Sequence, residues 1–113
     1  MADELQNYVN GKKTDGRAGG RFDVFNPATE EVVATAPDSQ PEDVRDAVVA
    51  ARKAFDDGLW SGASEREREQ VLLTAAAIVR RENERLAQLE VIDSGKPLAE
   101  AREDIDESAY MFE

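Results

Sequence analysis

The sequence predicts an α/β fold in which short antiparallel hairpins come first and three to four helices follow. Residues 21–25 alternate polar and apolar side chains, a pattern typical of a half-buried strand, and residues 8–13 have the Asn-Gly turn of a hairpin. Residues 42–112 place apolar side chains at helical spacing, with helix-start and helix-stop signals between the runs. Because 113 residues suit one small domain, we expect residues 1–113 to form a single domain segment.

Two hairpins are predicted at the front of the chain. Asn10-Gly11 supplies two residues that tolerate positive φ, as a type I′ turn requires. Residues 21–25 and 31–36 are predicted as paired strands, the second rich in β-branched residues. The segment Asn26-Pro27-Ala28-Thr29-Glu30 is the turn between them, because proline fixes φ and cannot donate to a strand ladder. Residues 14–20 are a loop by composition.

The first long helix is bounded by a start and a stop signal. Ser39 and Glu42 have the spacing of a capping box, and Gly58 is placed as the helix stop. Trp60, just after the helix, is expected to be a packing anchor. The predicted apolar stripe consists of Val44, Ala47, Val48, Ala51, Ala54 and Phe55.

The second half repeats these signals. Ser64-Glu65-Arg66-Glu67 is a further capping pattern, and the polar run 80–84 predicts a helix break with Asn83 as a new cap. Gly95 is placed as a stop, and Pro97 suits the first turn of the last helix. The predicted stripes are Val71, Leu72, Ala75, Ile78 and Val79, then Leu86, Leu89 and Ile92, then Leu98, Ala101, Ile105, Ala109 and Phe112.

The composition excludes several kinds of chemistry and partner. The chain has no cysteine and no histidine, so it holds no thiol nucleophile, no disulfide and no imidazole base. A net charge of −11 argues against nucleic acid and anionic membranes as partners. No apolar run reaches the length of a transmembrane span, and the first residues do not resemble a secretory signal. We therefore expect a cytoplasmic protein.

The acidity is concentrated in residues 82–113, which carry a net charge of −7. This charge indicates either a solvated helix face or adaptation to high salt, and both interpretations stay open. Neighbouring acids on a helix do not form a glycosidase-type pair, which needs two carboxylates facing each other across a cleft. Gly95-Lys96 lacks the leading glycine and the following Ser/Thr of a phosphate loop. The residues alone therefore indicate no catalytic and no cofactor-binding group within this segment.

The order of the motifs resembles the N-terminal portion of the aldehyde dehydrogenase superfamily. The residues that carry the resemblance are Tyr8-Val9-Asn10-Gly11, Val24-Phe25-Asn26-Pro27-Ala28-Thr29, Trp60 and Asp93-Ser94-Gly95-Lys96-Pro97. The resemblance implies part of a Rossmann-like cofactor domain. It also implies an NAD+- or NADP+-dependent oxidation of a small aldehyde to a carboxylic acid, by a homodimer or homotetramer. The catalytic cysteine and glutamate and the main cofactor contacts would all lie downstream. The last helix meets no stop signal before Glu113, which also suggests a fragment.

The resemblance further implies one ligand site within the chain. Several family members hold a monovalent cation, potassium or sodium, at positions that match Val24, Phe25 and Asp93. The competing interpretation of Asp93 is a helix-end carboxylate near Lys96, and both stay open.

Two functions are carried forward. The first is an N-terminal piece of an aldehyde dehydrogenase, with a weak resemblance of residues 109–113 to betaine-aldehyde-like and general-aldehyde branches. The alternative is a stand-alone acidic interaction module without catalysis, derived from the same fold.

Overall fold

The computed structural model describes residues 3–113 and has short strands at the front and helices behind, which confirms the predicted order. The strands are β1 (Asp3–Glu4), β2 (Asn7–Val9), β3 (Lys12–Thr14), β4 (Arg21–Phe25) and β5 (Val32–Pro37). The helices are α1 (Pro41–Asp56), α2 (Glu65–Arg81), α3 (Asn83–Ser94) and α4 (Leu98–Tyr110). No helix within residues 3–113 is long and apolar enough to cross a membrane.

The chain groups into two compact units. The first contains the residues up to Phe25 together with Glu31–Gly62, and the second contains Asn26–Glu30 together with Ala63–Glu113. The turn between β4 and β5 therefore belongs with the helices of the second unit. The assignment of residues 1–113 to one domain stays a prediction.

The first unit contains a sheet in the order β1-β5-β4. The predicted pairing of β4 with β5 is antiparallel, and the pairing slips by one residue between Val24 and Phe25. β1 pairs in parallel with β5 and was not predicted, because a strand of two residues shows no alternation. Arg21 connects these strands, since its guanidinium donates to the Thr35 carbonyl (2.9 Å) and the Leu5 carbonyl (2.6 Å).

The β2–β3 hairpin has the predicted two-residue turn. Asn7 pairs with Thr14 and Val9 with Lys12, while Asn10 (φ 51°) and Gly11 (φ 75°) lie in the left-handed region. A type I′ turn needs positive φ at both central positions, so the geometry confirms the Asn-Gly signal.

The start of α1 lies one residue later than predicted. Gln40 caps the helix, and the Asp43 carboxylate accepts a hydrogen bond from the Gln40 N–H at 3.0 Å. Pro41 takes the first helical position, where its missing N–H costs nothing, and this sets the register. Ser39 instead accepts a hydrogen bond from the Asn7 side chain at 2.7 Å. Gly58 (φ 68°) follows the helix end, as predicted.

The apolar stripe of α1 is only partly covered. Its alanines, with Tyr8, Val9 and Asn10, line a small cavity of about 240 Å³. Val48 and Phe55 remain exposed, at 62% and 68%. Trp60 is 51% exposed, so the prediction that it anchors the exit of α1 is wrong for the described chain.

The second unit buries alanines and leaves its larger apolar side chains outside. α4 contacts both α2 and α3. Ala76 on α2, Ala87 on α3, and Ala101 and Ala109 on α4 are at most 1% exposed. The predicted face of α4 is confirmed at both alanines. The stripes predicted on α2 and α3 lie mostly on exposed faces of the described chain, whereas Ala76 and Ala87, which lie outside those stripes, are buried.

The helix ends of the second unit follow most of the predicted signals. The Ser64 hydroxyl accepts from the Glu67 N–H at 3.3 Å, and the Glu67 carboxylate accepts from the Ser64 N–H at 2.8 Å, which confirms this capping box. The predicted break occurs at Glu82. Glu82, and not Asn83, is the cap of α3. The Asn83 side chain instead donates to the Arg102 carbonyl at 3.0 Å.

The buried alanines of α4 give a test of this packing. Ala101→Leu should lower the free energy of unfolding by about 1 to 3 kcal/mol, because no space exists for the larger side chain. Ala99→Leu on the exposed side of the same helix is the control and should change it by less than about 0.5 kcal/mol. Chemical denaturation of the complete protein measures the unfolding free energy of both variants. An equal loss in the two variants would contradict the close packing of α4.

Candidate functional site

The two turns that carry the family resemblance meet in the second unit. A Cβ atom added to Gly95 would lie 3.0 Å from Pro27 Cγ and 3.9 Å from Ala28 Cβ. Gly95 also has φ 73° and terminates α3, with its N–H donating to the Val91 carbonyl at 2.9 Å. Two features therefore require glycine at position 95: its left-handed backbone conformation and the close approach of the Asn-Pro turn.

The Asn-Pro turn is closed by its own hydrogen bonds. The Asn26 side-chain oxygen accepts from the Ala28 N–H at 2.9 Å, and the Asn26 carbonyl accepts from the Glu30 N–H at 2.8 Å. Glu30 has φ 60°, a conformation uncommon for a residue with a side chain. These contacts give Pro27 a fixed position against Gly95.

Lys96 holds the second turn by ion pairs to two helices. Its ammonium lies 2.8 Å from the Glu90 carboxylate on α3 and also pairs with Asp104 on α4. These two carboxylates, Asp104 foremost, raise the pKa of Lys96 above its ordinary value. Sequence reasoning missed this arrangement, because the partners lie six residues before and eight residues after the lysine. Pro97, predicted in the first turn, is the N-cap residue of α4.

The residues predicted to hold a monovalent cation fall in different units. Val24 and Phe25 lie in the first unit, next to the slip in the β4–β5 pairing, and Asp93 lies in the second unit near the end of α3. Asp93 is exposed, and the ion-pair partners of Lys96 are Glu90 and Asp104. Asp93 lies one residue before the end of α3, as the interpretation of a helix-end carboxylate predicts, while the ion pairs of Lys96 within residues 3–113 go to other carboxylates. The cation site stays a prediction.

No cluster of three or more acidic side chains within residues 3–113 has the geometry of a metal site. Three carboxylates of α3 and α4, those of Glu84, Glu90 and Asp104, form ion pairs instead. Arg102 pairs with both oxygens of Glu84 at 2.8 and 2.9 Å, and this bond lowers the pKa of Glu84. Hydrogen bonds from Arg85 and Arg81 lower the pKa of Glu82 in the same way.

An apolar surface groove runs along α2 in the second unit. Its volume is about 530 Å³, and it is lined mainly by apolar atoms. Val71 and Ile78 in this groove are 54% and 45% exposed. A solvated domain buries such side chains, so this face indicates an unpartnered packing surface. The groove is lined by Glu67, Gln70, Val71, Thr74, Ala75 and Ile78.

Comparison with known proteins decides the family. The sequence model described as "Aldehyde dehydrogenase family" matches residues 14–113. The chain belongs to the aldehyde dehydrogenase family. It is 44% identical over 95 residues to aldehyde dehydrogenase 1 of Tanacetum cinerariifolium, a match that covers 84% of this chain and 19% of that protein. It is 42% identical over 90 residues to betaine aldehyde dehydrogenase of Bacillus subtilis, covering 80% of this chain and 18% of that protein.

Solved structures of aldehyde dehydrogenases share the fold. The NAD-dependent aldehyde dehydrogenase from Sinorhizobium meliloti superposes with a TM-score of 0.93 at 38% identity, covering 99% of this chain and 22% of that one. Betaine aldehyde dehydrogenase from Staphylococcus aureus in complex with NAD+ gives a TM-score of 0.91 at 32% identity, covering 95% and 21%. The predicted family and fold class, an N-terminal part of a Rossmann-like cofactor domain, are confirmed. The chain spans about a fifth of the length of these relatives.

The contact between the two motif turns can be tested with a pair of glycines. Gly95→Ala and Gly19→Ala both place a side chain at positive φ, but only Gly95 has a neighbour within 4 Å. The left-handed conformation should cost each variant about 1 to 2 kcal/mol of unfolding free energy. Gly95→Ala should lose clearly more unfolding free energy than Gly19→Ala, because Pro27 must also move to admit the new side chain. Equal losses of unfolding free energy in the two variants, measured by denaturation of the complete protein, would contradict the close packing of the turns.

The Glu84–Arg102 pair predicts a pH-dependent stability difference. The pKa of Glu84 is lowered in the folded chain, so the ionised carboxylate stabilises the fold. This stabilisation is fully present above the ordinary pKa of 4.5 and is lost as the pH falls through the lowered pKa of the folded chain. Glu84→Gln should therefore lower the melting temperature at neutral pH, and the difference from wild type should shrink in acid. Glu103→Gln, an exposed position on α4, is the control. A difference that persists unchanged at low pH would contradict the ionic origin.

Proposed function

We propose that the complete protein is an NAD+- or NADP+-dependent aldehyde dehydrogenase, which oxidises an aldehyde to a carboxylic acid. The observation that carries this proposal is the match of residues 14–113 to the family, together with structural similarity over 99% of the chain. In the net reaction, aldehyde, NAD+ and water give carboxylic acid, NADH and a proton. The catalytic thiol would come from outside this segment, since residues 1–113 contain no cysteine.

The contribution of this segment is structural support for the cofactor domain. Helices α2, α3 and α4 pack on one another through alanines, and they present larger apolar side chains outward. Those outward faces are suited to cover the remainder of a larger domain. The two motif turns fix the ends of α3 and the β4–β5 hairpin, which are the points where such a scaffold changes direction.

The alternative of a stand-alone acidic module is less well supported by the same faces. Val48 and Phe55 in the first unit, and Val71 and Ile78 in the second, would remain open to water in an isolated module. Exposed apolar faces of this kind promote association.

The substrate is proposed only as an aldehyde. The similar proteins include a betaine aldehyde dehydrogenase from Bacillus subtilis and a benzaldehyde dehydrogenase from Antirrhinum majus, so similarity does not select one aldehyde. NAD+ is favoured as the first cofactor to test, since one structural relative is described as NAD-dependent and another was solved with NAD+.

Four further properties rest on the resemblance and on charge. We propose a homodimer or homotetramer, a cytoplasmic location, and a potassium or sodium ion at the positions of Val24, Phe25 and Asp93. Adaptation to high salt is proposed from the net charge of −11.

Activity of the complete protein tests the proposed function. Purified protein mixed with NAD+ and a panel that includes acetaldehyde, benzaldehyde and betaine aldehyde should reduce NAD+ with at least one of them, measured by NADH absorbance. The matched reaction uses NADP+. No reduction of either cofactor with any aldehyde would contradict the proposal. Turnover by residues 1–113 alone would contradict the placement of the active site outside the segment.

The cation proposal has its own test. Asp93→Asn should reduce the rise in melting temperature that potassium or sodium gives to the complete protein. Glu103→Gln, which removes an exposed carboxylate outside the proposed site, should leave that rise intact. An unchanged response in Asp93→Asn would contradict a ligand role for Asp93.

A further inference from the structure

The chain carries its positive charge mainly as arginine. It has ten arginines and four lysines, which are Lys12, Lys13, Lys53 and Lys96. The distinction matters in a protein that works among aldehydes, because a neutral lysine amine attacks a carbonyl carbon. An arginine side chain is always protonated and lacks that reactivity.

The four lysines have different surroundings. Lys96 pairs with Glu90 and Asp104, and its side chain is 28% exposed. Lys53 pairs with one carboxylate, Asp57, at 2.5 Å, and is 71% exposed. Lys12 and Lys13 are exposed on β3, and within residues 3–113 their side chains make no hydrogen bond or ion pair. The described lysines therefore form a graded series, from two carboxylate partners to none.

Carboxylate partners suppress the reactive form of lysine. The attacking species is the neutral amine, and an ammonium held between two carboxylates releases its proton less readily. The pKa of Lys96 is raised by these partners, and each unit of pKa lowers the neutral fraction tenfold. Glu90 and Asp104 also occupy part of the space around the nitrogen. Lys12 and Lys13 have no carboxylate partner in the described structure.

We infer that Lys12 and Lys13 on the β2–β3 hairpin are the lysines of this chain that form imines with aldehydes fastest, while the ion pairs of Lys96 protect the motif turn from the same reaction. The inference rests on the proposed function, which places the protein among aldehydes. In the reaction, the lysine nitrogen bonds to the carbonyl carbon and loses both its hydrogens. The carbonyl oxygen leaves with them as water, and a C=N bond remains. No oxidant or reductant is needed.

An aldehyde adduct would disturb the structure less at Lys12 and Lys13 than at Lys96. The Lys12 and Lys13 side chains are exposed, so a bound alkyl group has room in solvent. An adduct on Lys96 would remove two ion pairs that join the Gly95 turn to α3 and α4. Protection of Lys96 therefore preserves the turn that packs against Pro27.

Peptide mapping of the complete protein tests the inference. The protein is incubated with acetaldehyde and sodium cyanoborohydride, which traps each imine as a stable amine, and adduct rates are read for each lysine by mass spectrometry. Lys12 and Lys13 should label at least about tenfold faster than Lys96, with Lys53 between them. Labelling of Lys96 as fast as Lys12, or no labelling of Lys12 and Lys13, would overturn the inference.

A variant isolates the role of the ion pairs. Asp104→Asn should raise the labelling rate of Lys96 about tenfold, whereas Glu103→Gln on the same helix should leave it unchanged. Circular dichroism checks that the fold persists, and Glu90→Gln replaces Asp104→Asn if it does not. An unchanged Lys96 rate in a folded variant would overturn the protective role. The labelling reaction contains no NAD+, so the labelling rates do not depend on turnover. A protein without dehydrogenase activity would therefore give the same peptide map.

Discussion

Close packing of helices through alanine is the constraint on which the second unit depends. Ala76, Ala87, Ala101 and Ala109 are at most 1% exposed, while no large side chain is fully buried within residues 3–113. An alanine interface brings helix backbones near one another but buries little apolar area per residue. The alanine core therefore fixes the positions of the helices closely, but it contributes little hydrophobic stabilisation. The larger apolar side chains that would supply such stabilisation face outward instead.

The turn between α3 and α4 follows from that geometry. Two helices packed this closely need an abrupt connection, and Gly95 supplies it with a left-handed conformation that most residues avoid. The missing side chain also admits Pro27 from the β4–β5 turn, which belongs to the same unit as the helices. Lys96 then neutralises one carboxylate from each helix. One short segment thus ends α3, starts α4 and holds a distant turn in place.

Local signals predicted the ends of the elements well, because those ends depend on neighbouring residues. Asn10-Gly11, the Ser64–Glu67 capping box and Gly95 each adopt the predicted geometry. Where two local signals competed, as at Ser39 and Pro41, the proline set the register and the prediction was wrong by one residue. The burial of α2 and α3 could not be read from the sequence in this way. Hydrophobic periodicity gives most weight to the largest apolar side chains, whereas these helices meet along alanines, which are small and only weakly hydrophobic.

The candidate site was predicted only in part, because its contacts join residues that are distant in the sequence. The resemblance selected the Asn-Pro and Gly-Lys-Pro turns, and the structure brings Pro27 and Gly95 together. The two partners of Lys96 required a knowledge of how α3 and α4 lie against each other, which no local spacing contains. The chain spans about a fifth of the length of its relatives and contains no cysteine and no histidine, and its described residues position turns and helices.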